Sequence, residues 1–188
     1  MTIGYAVCGS FCTHKKALEI LRKIADTGAD IMPVLSENSY NISTRFGKAE
    51  DFVREVENIT KKSVISTIEG SEPIGPCRNL DIMIIAPCTG NTLAKLANGI
   101  TDSCVTMAAK AHLRNQKPLV IGLCTNDGLS NNLVNIGVLL SKKNIFFVPM
   151  YQDDIDLKPA SLVCDMDLII PTYELAMQRK QIQPIFFG

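Results

Sequence analysis

The run Leu80-Asp81-Ile82-Met83-Ile84-Ile85-Ala86 is apolar at six of its seven positions. It lacks the in–out alternation of a strand with one wet face, so both of its faces need cover. That requires a central strand in a mainly parallel sheet with helices above and below. Directly behind it stands Pro87-Cys88-Thr89-Gly90-Asn91-Thr92. There the strand is expected to stop at Ala86, because Pro87 opposes continued pairing and Gly90 relaxes the backbone. Leu93, Leu96 and Ala97 then begin a short helix that Asn98-Gly99 closes.

The same strand–turn–helix rhythm recurs along the chain. Ile3 to Cys8 reads as a buried strand ended by Gly9-Ser10. Residues 15–27 place Leu18, Leu21, Ile24 and Ala25 on one helical stripe, with Gly28 at the cap position. Ile31 to Leu35 is the next strand, and the unit implies a parallel pair with a right-handed crossover. Residues 36–47 read as a polar loop, and a helix carrying Ala49, Phe52, Val53, Val56 and Ile59 follows. Val64 to Ile68 fits an edge strand or a short helix, and Gly70 to Pro76 reads as loop. Thr101-Asp102-Ser103 offers an N-cap for a helix over 103–114. Pro118 to Cys124 and Ile145 to Val148 are strands, with helices predicted over 129–141 and near 172–181. The fold class is α/β, a doubly wound, mainly parallel sheet in three layers. At 188 residues one domain spanning 1–188 is expected.

The 19 basic and 19 acidic residues cancel, so no global field recruits nucleic acid or an anionic membrane. The pairs Lys15-Lys16, Lys61-Lys62 and Lys142-Lys143 read as solvated faces. The seven cysteines are odd in number, show no CxxC pair, and sit largely in apolar runs. A reducing cytoplasm without a metal site is the expectation. No apolar run approaches the ~18 residues needed to span a bilayer.

In sheets of this kind a ligand meets the carboxyl ends of the strands. Three such ends carry hydroxyl or amide residues: Gly9-Ser10-Phe11-Cys12-Thr13-His14, Ser36 with its loop, and Thr89-Gly90-Asn91-Thr92. At the third, free N–H groups and the positive end of a helix dipole suit a phosphate or carboxylate. Simple capping by Asn91 or Thr92 is the competing reading. Neither GxGxxG nor GxxxxGK[ST] occurs.

The run Ala86 to Asp102, APCTGNTLAKLANGITD, resembles the signature of the flavoprotein family that includes phosphopantothenoylcysteine decarboxylases, peptidyl-cysteine decarboxylases and flavin prenyltransferases. With Gly9-Ser10 and the Ser36 loop, the resemblance covers most of residues 3–124. It implies a flavodoxin-like (Rossmann-like) fold and non-covalent FMN. Strings such as Gly9-Ser10-Phe11-Cys12-Thr13, Ser43-Thr44-Arg45-Phe46-Gly47, Met107-Ala108-Ala109-Lys110-Ala111 and Gln152-Asp153-Asp154 are most similar to the branch of dipicolinate synthase B subunits. That branch implies a sporulation oxidoreductase working with the dipicolinate synthase A subunit on a small dicarboxylate, and the family implies homo-oligomers. The implied alternatives are a non-catalytic partner of a nicotinamide-dependent A subunit and an FMN-dependent cysteine decarboxylase. Two departures weigh against the decarboxylase. Gly122 to Gly128 stands where that group carries a Met-containing substrate motif, and the histidines are His14 and His112 rather than one in mid-chain.

The cofactor-binding candidates that follow are Gly9, Ser10, Ser36, Thr89, Asn91 and Thr92, with Thr101, Asp102 and Ser103 nearby. Arg45 is the candidate grip on a substrate carboxylate, since a guanidinium binds it bidentately, and a plain surface arginine is its alternative. His14 at the first turn is the candidate acid or base, or simply a helix-start residue. Asp127 is a weaker base candidate in what reads equally as a turn, and Lys110 with Arg114 forms one helical face.

Overall fold

The structure, a computed structural model, describes residues 1–77 and 79–187. β3 (Ile82–Cys88) lies between β1 (Thr2–Val7) and β4 (Leu119–Thr125), parallel to both. β2 (Asp30–Leu35) flanks β1 and β5 (Ile145–Phe147) flanks β4, again in parallel. β3 resolves the demand made by its sequence by dividing its side chains between two cores. Met83 and Ile85 enter one with Ala6, Leu119, Ile121 and Phe147. Ile82, Ile84 and Ala86 enter the other with Ile3, Tyr5, Val7 and Val120.

Helices close both cores. α1 (His14–Asp26) and α3 (Ala49–Thr60) cover the second, and α8 (Ile169–Met177) joins them through Ile169, Tyr173 and Ala176. α5 (Gly90–Ala97), α6 (Cys104–Leu113) and α7 (Leu133–Leu140) cover the first with Leu93, Val105, Ala108, Ile136 and Leu139. Gly28 takes φ +77 just past α1, as its cap position predicts. Ser103 caps α6 through a reciprocal pair with Thr106.

Several boundaries differ from the sequence reading, each for a local reason. Residues 36–47 are not all loop. Ser36 accepts from the backbone N of Ser39 at 3.3 Å and starts α2 (Glu37–Asn41), too short to show a helical period. The 64–76 stretch combines strand and helix rather than choosing one. Ile65 bridges Val34 in parallel, then Thr67 caps α4 (Ile68–Ser71) and a 3-10 turn runs Glu72–Ile74. β3 does not stop at Ala86. It runs through Pro87 to Cys88, with a cis Ala86–Pro87 bond and a register shift against β4 between Ile85 and Cys88. A register irregularity is where a strand tolerates a residue without an N–H.

α7 begins at Leu133 rather than near 129, because residues 125–132 wrap around Asp127. The last helix begins earlier than expected, led in by a 3-10 turn at Met166–Leu168 that Asp165 caps. Two short strands have no counterpart in the sequence pattern. β6 (Met150–Tyr151) pairs antiparallel with β7 (Leu162–Cys164), which pairs antiparallel with Cys124 and Thr125 of β4.

His112 lies buried on α6 with Nε2 2.8 Å from the carbonyl oxygen of Pro118. A carbonyl only accepts, so Nε2 carries the hydrogen. Burial, opposed by that bond, holds the imidazole below its ordinary value. The folded chain therefore binds fewer protons here than the unfolded chain. The stability tied to this site is present above pH ~6.5 and drains as pH falls below it. Urea midpoints measured from pH 7.5 to 5 should fall, and His112→Gln should flatten that slope.

Candidate functional site

The carboxyl ends of the first three strands are fastened together by backbone. The N–H of Ser36 donates to Val7 O at 2.9 Å, and that of Cys8 donates to Pro87 O at 3.0 Å. The chain leaves β1 for β2 on one side and returns to β3 on the other, so the crevice of this fold opens between the first and third turns.

At the first turn, Ser10 N–H donates to Cys8 O at 2.9 Å, and Thr13 Oγ1 donates to Ser10 O at 2.8 Å. Gly9 is tightly placed: a Cβ there would lie 3.3 Å from Asn38 Cβ. At the third turn it is Thr89, not Asn91 or Thr92, that caps α5. Its hydroxyl accepts from Thr92 N at 3.4 Å and donates to Thr92 Oγ1 at 3.2 Å. Thr92 is buried, and its own hydroxyl donates to Cys8 Sγ at 3.4 Å, so it ties the third turn to the first from beneath. Burial pushes the Cys8 thiol up to about 11, which leaves it a neutral packing group. Cys104 at the start of α6 reaches Leu35 O with its sulfur at 2.9 Å, and so draws Ser103 toward the end of β2.

The structure thus brings Gly9, Ser10, Ser36, Thr89, Asn91 and Ser103 to one edge, with Asn91 exposed on the first turn of α5. Thr101 is half-buried beside them, while Asp102 turns to Lys95 at 2.8 Å, a contact that lowers its carboxyl. Asp127 is engaged as a turn anchor. Its Oδ1 accepts from Thr125 Oγ1 at 2.5 Å and from Asn132 Nδ2 at 2.9 Å, and these bonds, the threonine first, hold it below the usual carboxylate range. Gly90 is packed against this group.

His14 occupies the mouth of the first turn with Nε2 3.0 Å from Cys8 O and its ring stacked on Phe52 at 4.3 Å. Burial lowers its basicity and the bond to Cys8 partly opposes that. Beside it a cavity of about 580 Å³ opens between α1, α3 and the segment that joins α2 to α3, walled by Phe11, His14, Phe46 and Phe52. Arg45 is exposed at a tight turn where Thr44 and Gly47 exchange backbone bonds of 3.0 and 3.1 Å. Its guanidinium lies 4.9 Å from the centroid of Phe46. Sequence reasoning misses this cavity. The trace it leaves is the aromatic pair Phe46 and Phe52, bracketing a stretch that reads half as loop and half as helix. His112 lies at the amino end of β4, the far end of the sheet. Among the described residues no group of three or more His, Cys, Asp or Glu could hold a metal ion, and no helix is long and apolar enough to cross a membrane.

The chain belongs to the flavoprotein family, whose model matches residues 1–177. Within that family it is a homologue of the B subunit of dipicolinate synthase. It is 45% identical to that protein of Bacillus subtilis, over 97% of this chain and 92% of the relative. The crystal structure of the dipicolinate synthase B subunit from Bacillus halodurans superposes with a TM-score of 0.91 at 38% identity, covering 100% of this chain and 96% of that one. The FMN-dependent cysteine decarboxylase SpaF shares the fold, with a TM-score of 0.71 at 19% identity over 95% of this chain and 97% of its own. The fold is therefore the mixed α/β, flavodoxin-like one.

A Cβ on Gly90 would lie 2.5 Å from both Thr125 Oγ1 and Asn132 Nδ2, whereas one on Gly137 in α7 would meet nothing within 4 Å. Gly90→Ala should cost about 1–3 kcal/mol in denaturant unfolding. Gly137→Ala should gain about 0.5–1 kcal/mol by the same measurement.

Proposed function

We propose that this chain is the B subunit of a dipicolinate synthase. In this reading it holds FMN at the carboxyl edge of β1, β2 and β3. It acts with the A subunit to oxidise dihydrodipicolinate to dipicolinate in the cytoplasm of a sporulating cell. The observation that carries this is the 45% identity, over almost the whole of both chains, to a protein of that name.

The edge suits a phosphorylated cofactor on its own chemistry. Gly9 admits a ligand where a side chain would press on Asn38. The N–H groups of Gly90 and Asn91 open an eight-residue helix and have no acceptor within it. Ser10 and Ser103 add hydroxyls, with Thr101 close by, while those of Ser36 and Thr89 donate to Ser39 and Thr92 and would have to rotate to meet a phosphate. Thr92 supports the cradle from below, and Asp102 supports it through Lys95. The donors are neutral, so the helix dipole and N–H groups supply the positive potential. Bound there, FMN supplies a two-electron acceptor for the hydride leaving the ring.

The ring must also lose a proton, and His14 is the candidate acceptor in this reading. Its Nε2–H is committed to Cys8 O, which leaves Nδ1 with a lone pair, and burial keeps that nitrogen unprotonated near neutral pH. Arg45, the sequence's candidate for a ring carboxylate, is exposed outside the cavity lining with its guanidinium over Phe46, so a grip on substrate from it would need the turn to bring it inward. The exposed apolar face formed by Leu129, Leu133, Val134 and Val138 supports self-association or docking of the A subunit.

The test is spectroscopic. The purified chain should show oxidised-flavin absorbance, and anaerobic dihydrodipicolinate with the A subunit should bleach it, with dipicolinate forming only when both chains are present. Failure to bind FMN in titration would sink the flavin reading. A flavin that stays oxidised with and without the partner assigns the oxidation to a nicotinamide-using A subunit. Carbon dioxide release from a cysteinyl substrate would place the chain with the decarboxylases instead.

A further inference from the structure

We propose that the cavity between α1, α3 and the segment joining α2 to α3 seats the ring dicarboxylate, with Lys15 and Lys48 as its carboxylate anchors. This rests on the substrate class named above, and the features that support it lie in the cavity itself. The cavity holds about 580 Å³, within the usual range for small-molecule clefts. Its walls are aromatic: Phe11 from the first turn, Phe46 from the hairpin, and Phe52 already stacked on His14. Flat walls of this kind take a planar ring by offset stacking.

The charges around the cavity do not cancel once their pairing is followed. Arg22 pairs with Glu55, Asp51 turns to Arg54, and Glu19 lies 3.7 Å from Lys16, whose ammonium also reaches Asp167 at 2.8 Å. Each acidic side chain of the lining therefore has a basic partner. Lys15 and Lys48 make no ion pair among the described residues, and both line the cavity. Two cations with no ion pair among the described residues line a pocket walled by three phenylalanines, and two is the charge of a ring dicarboxylate.

The cavity meets the cofactor edge at two points. Phe11 and His14 belong to the first turn. Ser39, which lines the cavity, accepts a hydrogen bond at 3.1 Å from Ser36 at the end of β2. The edge offers an anion neutral donors and the cavity offers it lysines. A phosphate and a dicarboxylate are thereby sorted to adjoining places, with His14 between them.

The probe is dipicolinate itself, titrated into the full chain by calorimetry, with and without FMN. Lys15→Glu and Lys48→Glu should each weaken dipicolinate about tenfold, and the pair more, since a lost charged hydrogen bond is of that order. Lys180→Glu, an exposed change outside the cavity, should leave affinity unchanged. Lys15→Gln and Lys48→Gln serve if the reversals disturb folding, which thermal melting reports. Benzene-1,3-dicarboxylate should compete and benzoate should compete poorly. Absence of dipicolinate binding, or equal affinity in the folded double variant, overturns the proposal. FMN binding and turnover together with lysine-independent dipicolinate affinity would reject the cavity alone. Lysine-dependent affinity in a chain that takes up no FMN would reject the flavin reading and keep the cavity.

Discussion

The burial of β3 on both faces is the constraint from which the rest of the molecule follows. Ile82, Met83, Ile84, Ile85 and Ala86 are all at 0% exposure. A strand with no wet face needs helices on both sides, and in a short chain those come as crossovers between parallel strands. Parallel strands deliver their carboxyl ends to a single edge, so the turns after β1, β2 and β3 meet without any further instruction. The bonds from Ser36 to Val7 and from Cys8 to Pro87 then lock that meeting in place.

The chemistry of the edge is the chemistry of helix beginnings. Ser36, Thr89 and Ser103 each cap a helix there, and capping residues are short, polar and held in one rotamer. What solves the problem of unsatisfied N–H groups at a helix start also builds a cradle for an anion. The two histidines show how far position decides role. Both are neutral, with Nε2 on a backbone carbonyl and basicity lowered by burial. His112 lies among core residues at the amino end of β4, and His14 looks into a cavity beside the carboxyl edge of the sheet. Only the second borders open space.

Legibility in the sequence follows the length scale of each signal. The long apolar run at β3, the stripe of α1 and the Ser103 cap have periods or patterns that a linear reading detects. α2 has five residues and β6 has two, too few to display a helical stripe or a useful run of strand, so neither leaves a pattern. Pro87 reads as the end of a strand because it lacks a donor, yet the register shift beside it makes that donor unnecessary. Thr92 reads as a ligand contact, and the bond from its hydroxyl to Cys8 is invisible in the linear sequence. Asp127 reads as a possible base or a turn residue, and the partners that anchor it in the turn, Thr125 and Asn132, appear only in the fold. In both cases the partner lies on another segment of the chain or in a turn closed by folding, and a linear pattern does not record it.

Local hydrophobic pattern and turn chemistry are enough to specify a doubly wound sheet with a polar turn behind its central strand, because each segment carries them on its own. The family resemblance is equally linear, since strings kept in order survive without coordinates. Which way each polar group faces is a different matter, and folding settled it. Folding turned Thr92 inward, committed Asp102 to Lys95, laid Arg45 over Phe46, and left Lys15 and Lys48 without an ion pair among the described residues beside a cavity lined by aromatic rings. Orientation and charge pairing are set by contacts between segments far apart in the chain, and those contacts exist only once the chain is folded.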